Sequence, residues 1–332
     1  MTQQQPFADG DAIRQALRAR RQASTTDERT TSQQVWIMQR LVARLSYAQD
    51  TTWAVKGAQA LLVRLPDAPR TTRDIDAVVQ ATSSDDAVEA FTRAIERSLP
   101  DQDFLSFKVR GVRPSPIRPD LVKIKIQPSM DLGQRLQKLS VISMDLLVAD
   151  SLGFDPDLIE LTPKIDIGRF TDWPEVPVVS TAVHVAEKLV ATATTHGEHA
   201  STRDRDFTDL VLLCQHFPPD VDELTRQLHS VMAAPRPEKN SVVLPRSFTP
   251  SSSSAALYQT LPGLLPLPEA IATVRRVVDP ALERYHAQHA AAQRSRSVMH
   301  VAMPAAGVRS QQPPVEDQRP PRIQPHTQGF TL

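Results

Sequence analysis

A single cysteine, Cys214, occurs in 332 residues. An internal disulfide is therefore excluded, and the fold must rest on its core. Cys214 lies in the apolar run LVLLC (210–214), which predicts packing rather than a reactive thiol. Aromatic residues are few, 3 Trp, 3 Tyr and 10 Phe, so there are few platforms on which single-stranded nucleic acid could stack. Net charge is also missing: 38 basic residues face 38 acidic ones. No global field draws the chain to nucleic acid or to an anionic membrane, and any basic surface must be local. No uninterrupted apolar run approaches the ~20 residues of a membrane helix. The opening MTQQQPFADG has no apolar segment of the secretory kind. These absences predict a protein of the reducing cytoplasm with no membrane association.

What is present divides unevenly. Residues 11–46 read as two helices. The first, DAIRQALRARR, carries Arg14, Arg18 and Arg21 on one face, either a solvated face or a contact for nucleic-acid phosphates. The second has an apolar stripe through Val35, Met38, Leu41, Val42 and Leu45. TTWAVKG predicts a strand ending at Gly57, AQALLVRL a helix, DIDAVVQ a strand and SSDDAVEAFTRAIERSL a helix capped by Ser83 or Ser84. LVKIKIQ (121–127) and LSVISMDLLV (139–148) predict two strands joined by a turn over PSMDLGQRLQK. Beyond about residue 160 the periodicity is helical, in TAVHVAEKLVATA, RDFTDLVLLCQHF and PEAIATVRRVVDPALERYHAQHA. The Pro- and Ser-rich stretch near 235–262 reads as a mobile loop. Residues 291–332 have too little apolar content to offset their ordering entropy and read as a disordered tail. A strand-rich first half followed by a helical second half is an α+β pattern.

Six Asp-x-Asp pairs occur, so the motif by itself decides nothing. Asp9/Asp11 sit in the terminal arm, Asp101/Asp103 and Asp155/Asp157 in polar loops, and Asp204/Asp206 and Asp220/Asp222 at helix starts. Only Asp74 and Asp76 enclose an isoleucine and run directly into AVV. On a strand they share one face while Ile75 enters the core. Like charges held side by side repel, which makes the pair a platform for a divalent cation with oxygen ligands. Asp145 interrupts VISMDLLV, an otherwise buried strand, and must be paired, metal-bound or at an exposed end. Just before the pair, WAVKGAQALLVR leads a strand through Gly57 into a helix, whose free N–H groups suit a phosphate. His196 and His199 in THGEH have the spacing of a metal pair, or of a plain helix-ending loop with Gly197.

Together these segments resemble the AbiEii-type nucleotidyltransferase toxins of the DNA polymerase β-like superfamily. The first motif of that family reads here as KGAQALLVRLPDAPRTTRDIDAVV, with Gly57, Arg70, Thr72, Asp74 and Asp76 in place. Asp145 in ISMDLLVAD matches the second, Lys188 in VHVAEKLVA the third, and Asp206 and Asp209 in RDFTDLVLL the fourth. The match runs in order from about Trp53 to Cys214. At Ala58 the family has Gly or Ser, so no hydroxyl contact to the phosphates comes from that position.

The resemblance implies a nucleotidyltransferase domain over 1–160, with a mixed sheet and flanking helices, followed by a mainly helical domain over 161–290. It implies Mg²⁺ (one or two ions) held by Asp74, Asp76 and Asp145. An acceptor hydroxyl would attack the α-phosphate of an NTP and pyrophosphate would leave. Gly57, Ala58, Arg70, Thr72 and Lys188 would bind the nucleotide, Lys188 as a point charge on the leaving phosphates. Asp206 or Asp209 would orient or deprotonate the acceptor hydroxyl, or fix Lys188. The implied acceptor is RNA, the 3′ end of tRNA foremost, and the implied partner is a cognate antitoxin. The alternatives are a small-molecule enzyme of the aminoglycoside-modifying kind, or a catalytically dead nucleotide-binding module. Thr72 shares the parity of Asp74 and Asp76, so a phosphate there would act as an off-switch; otherwise its hydroxyl only closes the turn ahead of the strand.

Overall fold

A computed structural model describes residues 6–20, 26–48, 52–69, 72, 74–170, 173–197, 201–237 and 240–301. For residues 26–32, 196 and 295–301 it describes the backbone alone. Residues up to Gln288 form one compact unit. From His289 a second unit begins, described as far as Val301 as the end of a helix. The tail expected over 291–332 therefore lies largely outside the described residues.

In chain order the elements are α1 (Gly10–Ala19), α2 (Thr26–Ser46), β1 (Trp53–Lys56), α3 (Gly57–Arg64), β2 (Asp74–Gln80), α4 (Ser84–Glu96) and β3 (Leu105–Pro114). There follow β4 (Leu121–Asp131), β5 (Leu136–Lys138), β6 (Ile142–Ala149), β7 (Asp157–Glu160), β8 (Glu175–Val178), α5 (Thr181–Ala193) and β9 (Thr194–His196). The chain continues with α6 (Arg205–His216), α7 (Val221–Ala233), β10 (Asn240–Val242), α8 (Ser252–Gln259) and α9 (Leu267–Val301). Among the described residues an eight-stranded sheet has the order β3-β4-β6-β2-β1-β8-β7, with β5 added to β4. It is mixed: β2 runs parallel to β6 and antiparallel to β1, while β4 runs antiparallel to both β3 and β6. The fold is α+β, a mixed sheet with flanking helices.

Alternation decides which face is covered. Ile75, Ala77 and Val79 of β2 and Val122, Ile124 and Ile126 of β4 join α2 and α4 in one buried cluster. The opposite parity, Asp74 and Asp76 on β2 and Lys123 and Lys125 on β4, is left partly or fully exposed. A second cluster brings Leu61 and Leu62 of α3 against α5, α6, α7 and α9. The short α3 thus joins the sheet to the helical part.

Several details depart from the sequence reading. The stripe expected on α2 is buried, but so are Arg40 and Arg44. Arg44 makes two contacts of 2.7 Å to Asp103, Arg40 reaches it at 2.9 Å, and Arg40 also meets Asp101. Asp103 does lie in the loop ahead of β3, but it is buried there rather than solvated. Burial alone would raise its pKa, yet Arg44 and Arg40 hold it below the usual carboxylate value. PSMDLGQRLQK is not one turn, because β4 runs on to Asp131 and β5 follows. Within 235–262 stand β10 and α8, the latter capped by the Ser251 hydroxyl on Ser254 N–H.

Candidate active site

The parallel register of β2 and β6 sets Asp76 directly beside Asp145 and Asp74 beside Ser143. Three carboxylates therefore stand on one face of two neighbouring strands. Asp76 carries the consequence: burial, then the negative charges of Asp74 and Asp145, push its pKa up to about 6 against the pull of Lys188 and Lys56. Thr72, buried at the entry to β2, donates its hydroxyl to the Asp74 carboxylate at 2.7 Å and accepts from Asp74 N–H at 3.4 Å. Thr72 thus aims Asp74 at the shared face.

Gly57 fits closely against this centre. Its φ of +59° belongs to the left-handed region that favours glycine, and a Cβ built there would stand 2.2 Å from Asp76 Oδ2. Both backbone shape and clearance for Asp76 require the missing side chain. Gly57→Ala is expected to cost about 1–2 kcal/mol from the backbone conformation alone. It should also displace the Asp76 carboxyl, so activity should fall far more than stability; a melting curve beside a turnover assay checks this. Ala58, next in line, is buried and turns its methyl into the fold.

Lys56 was not apparent as a site residue from the sequence, although its place just before Gly57 is the signal that could have found it. It pairs in register with Asp76 across β1 and β2, and its ammonium meets Glu187 of α5. On the other side Lys123 of β4 pairs in register with Asp145, and its Nζ lies 3.0 Å from Asp145 Oδ2. One cross-strand row thus reads Lys123, Asp145, Asp76, Lys56.

Lys188 is not a solvated helix lysine. It is buried on α5 and lies 2.7 Å from Asp206 and 2.6 Å from Asp209, both buried on α6. The two carboxylates of α6 are thus inside the protein. Both carboxylates contact Lys188, as fixing that lysine would require. The site then holds six carboxylates (Asp74, Asp76, Asp145, Glu187, Asp206, Asp209) against three lysines (Lys56, Lys123, Lys188). A surplus of negative oxygen donors is the chemistry that takes a hard divalent cation. No three His, Cys, Asp or Glu side chains among the described residues converge into a finished ligand set, and Asp145 is engaged by Lys123.

Arg70 and His199 lie outside the described residues, as does the side chain of His196. Arg14 is bound to Asp11 and to Gln137 Oε1 at 3.2 Å, so it packs α1 on β5. Cys214 is core, its thiol pushed up by burial to about 12. Beside the row lies a cleft of about 510 Å³ between the sheet face and α5, with Lys56, Arg118, Arg203 and Arg236 in its walls and Val78 and Leu147 in its floor. No helix among the described residues is long and apolar enough to cross a membrane.

MenT4, a nucleotidyltransferase toxin from Mycobacterium tuberculosis, superposes with a TM-score of 0.51 at 16% identity, over 84% of this chain and 93% of that one. An antigenic nucleotidyltransferase-like protein from Paracoccidioides brasiliensis gives a TM-score of 0.39 at 14% identity, over 73% and 94%. No curated protein sequence matches the chain. Residues 36–299 match the family described as Nucleotidyl transferase AbiEii toxin, Type IV TA system. With most of its length inside that match, the chain belongs to the AbiEii nucleotidyltransferase toxin family.

Proposed function

We propose that the protein moves a nucleotide from an NTP onto an RNA acceptor, the 3′ end of tRNA foremost, in the cytoplasm, and so arrests translation until a cognate antitoxin neutralises it. The observation that carries this reading is Asp76, its pKa raised by burial and by two carboxylate neighbours, set against Gly57 and flanked by lysines. In the reaction the acceptor hydroxyl gives up its proton to water as its oxygen bonds to the α-phosphorus, the bond from that phosphorus to the oxygen bridging to the β-phosphate breaks, and pyrophosphate departs with that oxygen. Mg²⁺, held by Asp74 and Asp76 with Asp145 joining on release from Lys123, would neutralise charge at the phosphates and help orient the attack. Gly57 leaves room for backbone N–H groups at the head of α3 to approach the phosphates. Lys188, fixed by Asp206 and Asp209, supplies positive potential from below Asp76. Lys56, released from Glu187, reaches the triphosphate from the other side, and Arg70 is the further cation proposed for it.

The cleft favours RNA over a small cationic acceptor, because its lining sets four cations, Lys56, Arg118, Arg203 and Arg236, against the one carboxylate of Glu187, although Lys56, Arg118 and Arg203 are each ion-paired. Incubation of the pure protein with total RNA and each α-labelled NTP in turn tests the proposal: label should enter RNA with one or more of the four. If none labels RNA while an added small-molecule acceptor is labelled, the acceptor class is wrong.

Thr72 offers a regulatory test within the same reading. A negative group at this position would break the Thr72–Asp74 contact and crowd the carboxylates. Thr72→Glu should be inactive and Thr72→Ser active in the labelling assay; wild-type turnover by Thr72→Glu would remove any switch at this residue.

A further inference from the structure

We infer that the outward face of the β3–β4 hairpin is a phosphate track that carries the backbone of an RNA acceptor to the carboxylates; this rests on the RNA reading above. The charge is where a neutral chain has to concentrate it. Between residues 105 and 138 stand Lys108, Arg110, Arg113, Arg118, Lys123, Lys125, Arg135 and Lys138 against Asp120 and Asp131. That is 8 − 2, or +6, in a protein whose total is zero.

Register turns this run into a surface. Arg113 stands opposite Lys123, Gly111 opposite Lys125, and Lys108 opposite Gln127. A β-bulge between Val109 and Gly111 inserts Arg110. It keeps the apolar Val109 and Val112 in phase with Ile126 and Ile124 and the basic residues on the far face. Lys108, Arg110, Arg113, Lys123 and Lys125 are all exposed there. The row Arg113, Lys123, Asp145, Asp76, Lys56 crosses five adjacent strands without a break.

Distance assigns the occupant. With strands about 4.8 Å apart, Arg113 lies roughly 14 Å from Asp76 along the row. An NTP seated on Asp74 and Asp76 has Lys56 and Lys188 beside it, so cations three strands away serve a longer polyanion. Lys108, Arg110 and Arg113 form no ion pair among the described residues, so nothing there compensates their charge. A polynucleotide backbone is the polyanion whose 3′ hydroxyl must also reach the site. Backbone contact of this kind needs few aromatic residues, in keeping with the composition of the chain.

The test uses the full chain with Lys108, Arg110 and Arg113 changed together, once to Glu and once to Gln. Circular dichroism confirms that each variant is folded. Fluorescence anisotropy with labelled total tRNA, without NTP, is read across a salt series. For the Gln variant the slope of log affinity against log salt should become shallower by about 2, and affinity should fall about tenfold or more near 0.1 M salt, further for Glu. The melting shift produced by NTP with Mg²⁺ should stay at the wild-type value, and any loss in transfer should appear in KM for RNA. Wild-type affinity and slope in both folded variants would overturn the track, as would failure of the unaltered protein to bind tRNA. Transfer with an unchanged KM would sink the track and leave the proposed reaction standing. Salt-sensitive tRNA binding through this face, with no label transferred from any NTP, would do the reverse.

Discussion

Asp76→Asn is expected to abolish nucleotidyl transfer and, at pH 7 without added metal, to raise the melting temperature. Transfer is lost because the amide cannot replace a carboxylate ligand at the centre of the row. The stability gain follows from proton linkage. In the folded protein Asp76 binds its proton with a pKa of about 6, against 3.8 for the ordinary carboxyl. The folded state therefore holds the proton more tightly. The contribution of Asp76 to stability is fully present below about pH 4 and is lost as pH climbs from there to about 6, where the charged carboxylate is forced into a buried place beside Asp74 and Asp145. Asparagine removes that cost, on the order of 2–3 kcal/mol from the pKa difference, or roughly 5 °C or more in Tm. The gain should vanish near pH 4, and millimolar Mg²⁺ should stabilise the wild type but not Asp76→Asn. A melting temperature for Asp76→Asn at or below that of the wild type at pH 7 would contradict this electrostatic picture.

Lys188→Met should do the opposite and destabilise. Lys188 is the cation that both buried carboxylates of α6 touch. Removing one partner of a buried ionic group typically costs about 3–5 kcal/mol, because the remaining charge is stranded. Here two buried carboxylates would lose their shared cation, Asp206 keeping only the longer contact to Arg203 at 3.5 Å, so the midpoint of denaturant unfolding should fall. Adding Asp206→Asn and Asp209→Asn to Lys188→Met should recover much of the stability and none of the activity. That split separates the structural duty of the three residues from their duty to the phosphates. Unfolding of the Lys188→Met protein at the wild-type midpoint would mean that Asp206 and Asp209 are held by something else.

What the sequence disclosed follows from where physics is local. Asp74, Asp76 and Asp145 could be found because a carboxylate inside an apolar strand is costly and so conspicuous. Their adjacency could not, since the Asp76–Asp145 register depends on a strand pairing across 69 residues. Lys123 was visible as the polar half of the alternation LVKIKIQ, but only the β4–β6 register places it on Asp145. β3 went unread because LSFKVRGVRP has three basic residues, Gly and Pro; it is an edge strand whose outward face is solvent, and its bulge breaks the period of two. β7 and β8 are four residues each, too short for a pattern. Arg40 and Arg44 lie off the apolar stripe read on α2, and the Asp103 that pairs with them inside the fold lies 63 and 59 residues away. Nothing local in VHVAEKLVA marks Lys188 as buried, since its burial rests on the packing of α5 against α6.

The central claim, transfer at the α-phosphorus directed by Asp76, is tested most directly by parallel reactions with α-labelled and γ-labelled NTP in the presence of tRNA and Mg²⁺. Label from the α position should appear in tRNA, label from the γ position should appear in pyrophosphate, and Asp76→Asn should give neither. Label entering tRNA from the γ position, or α label entering tRNA at the wild-type rate with Asp76→Asn, would contradict the account.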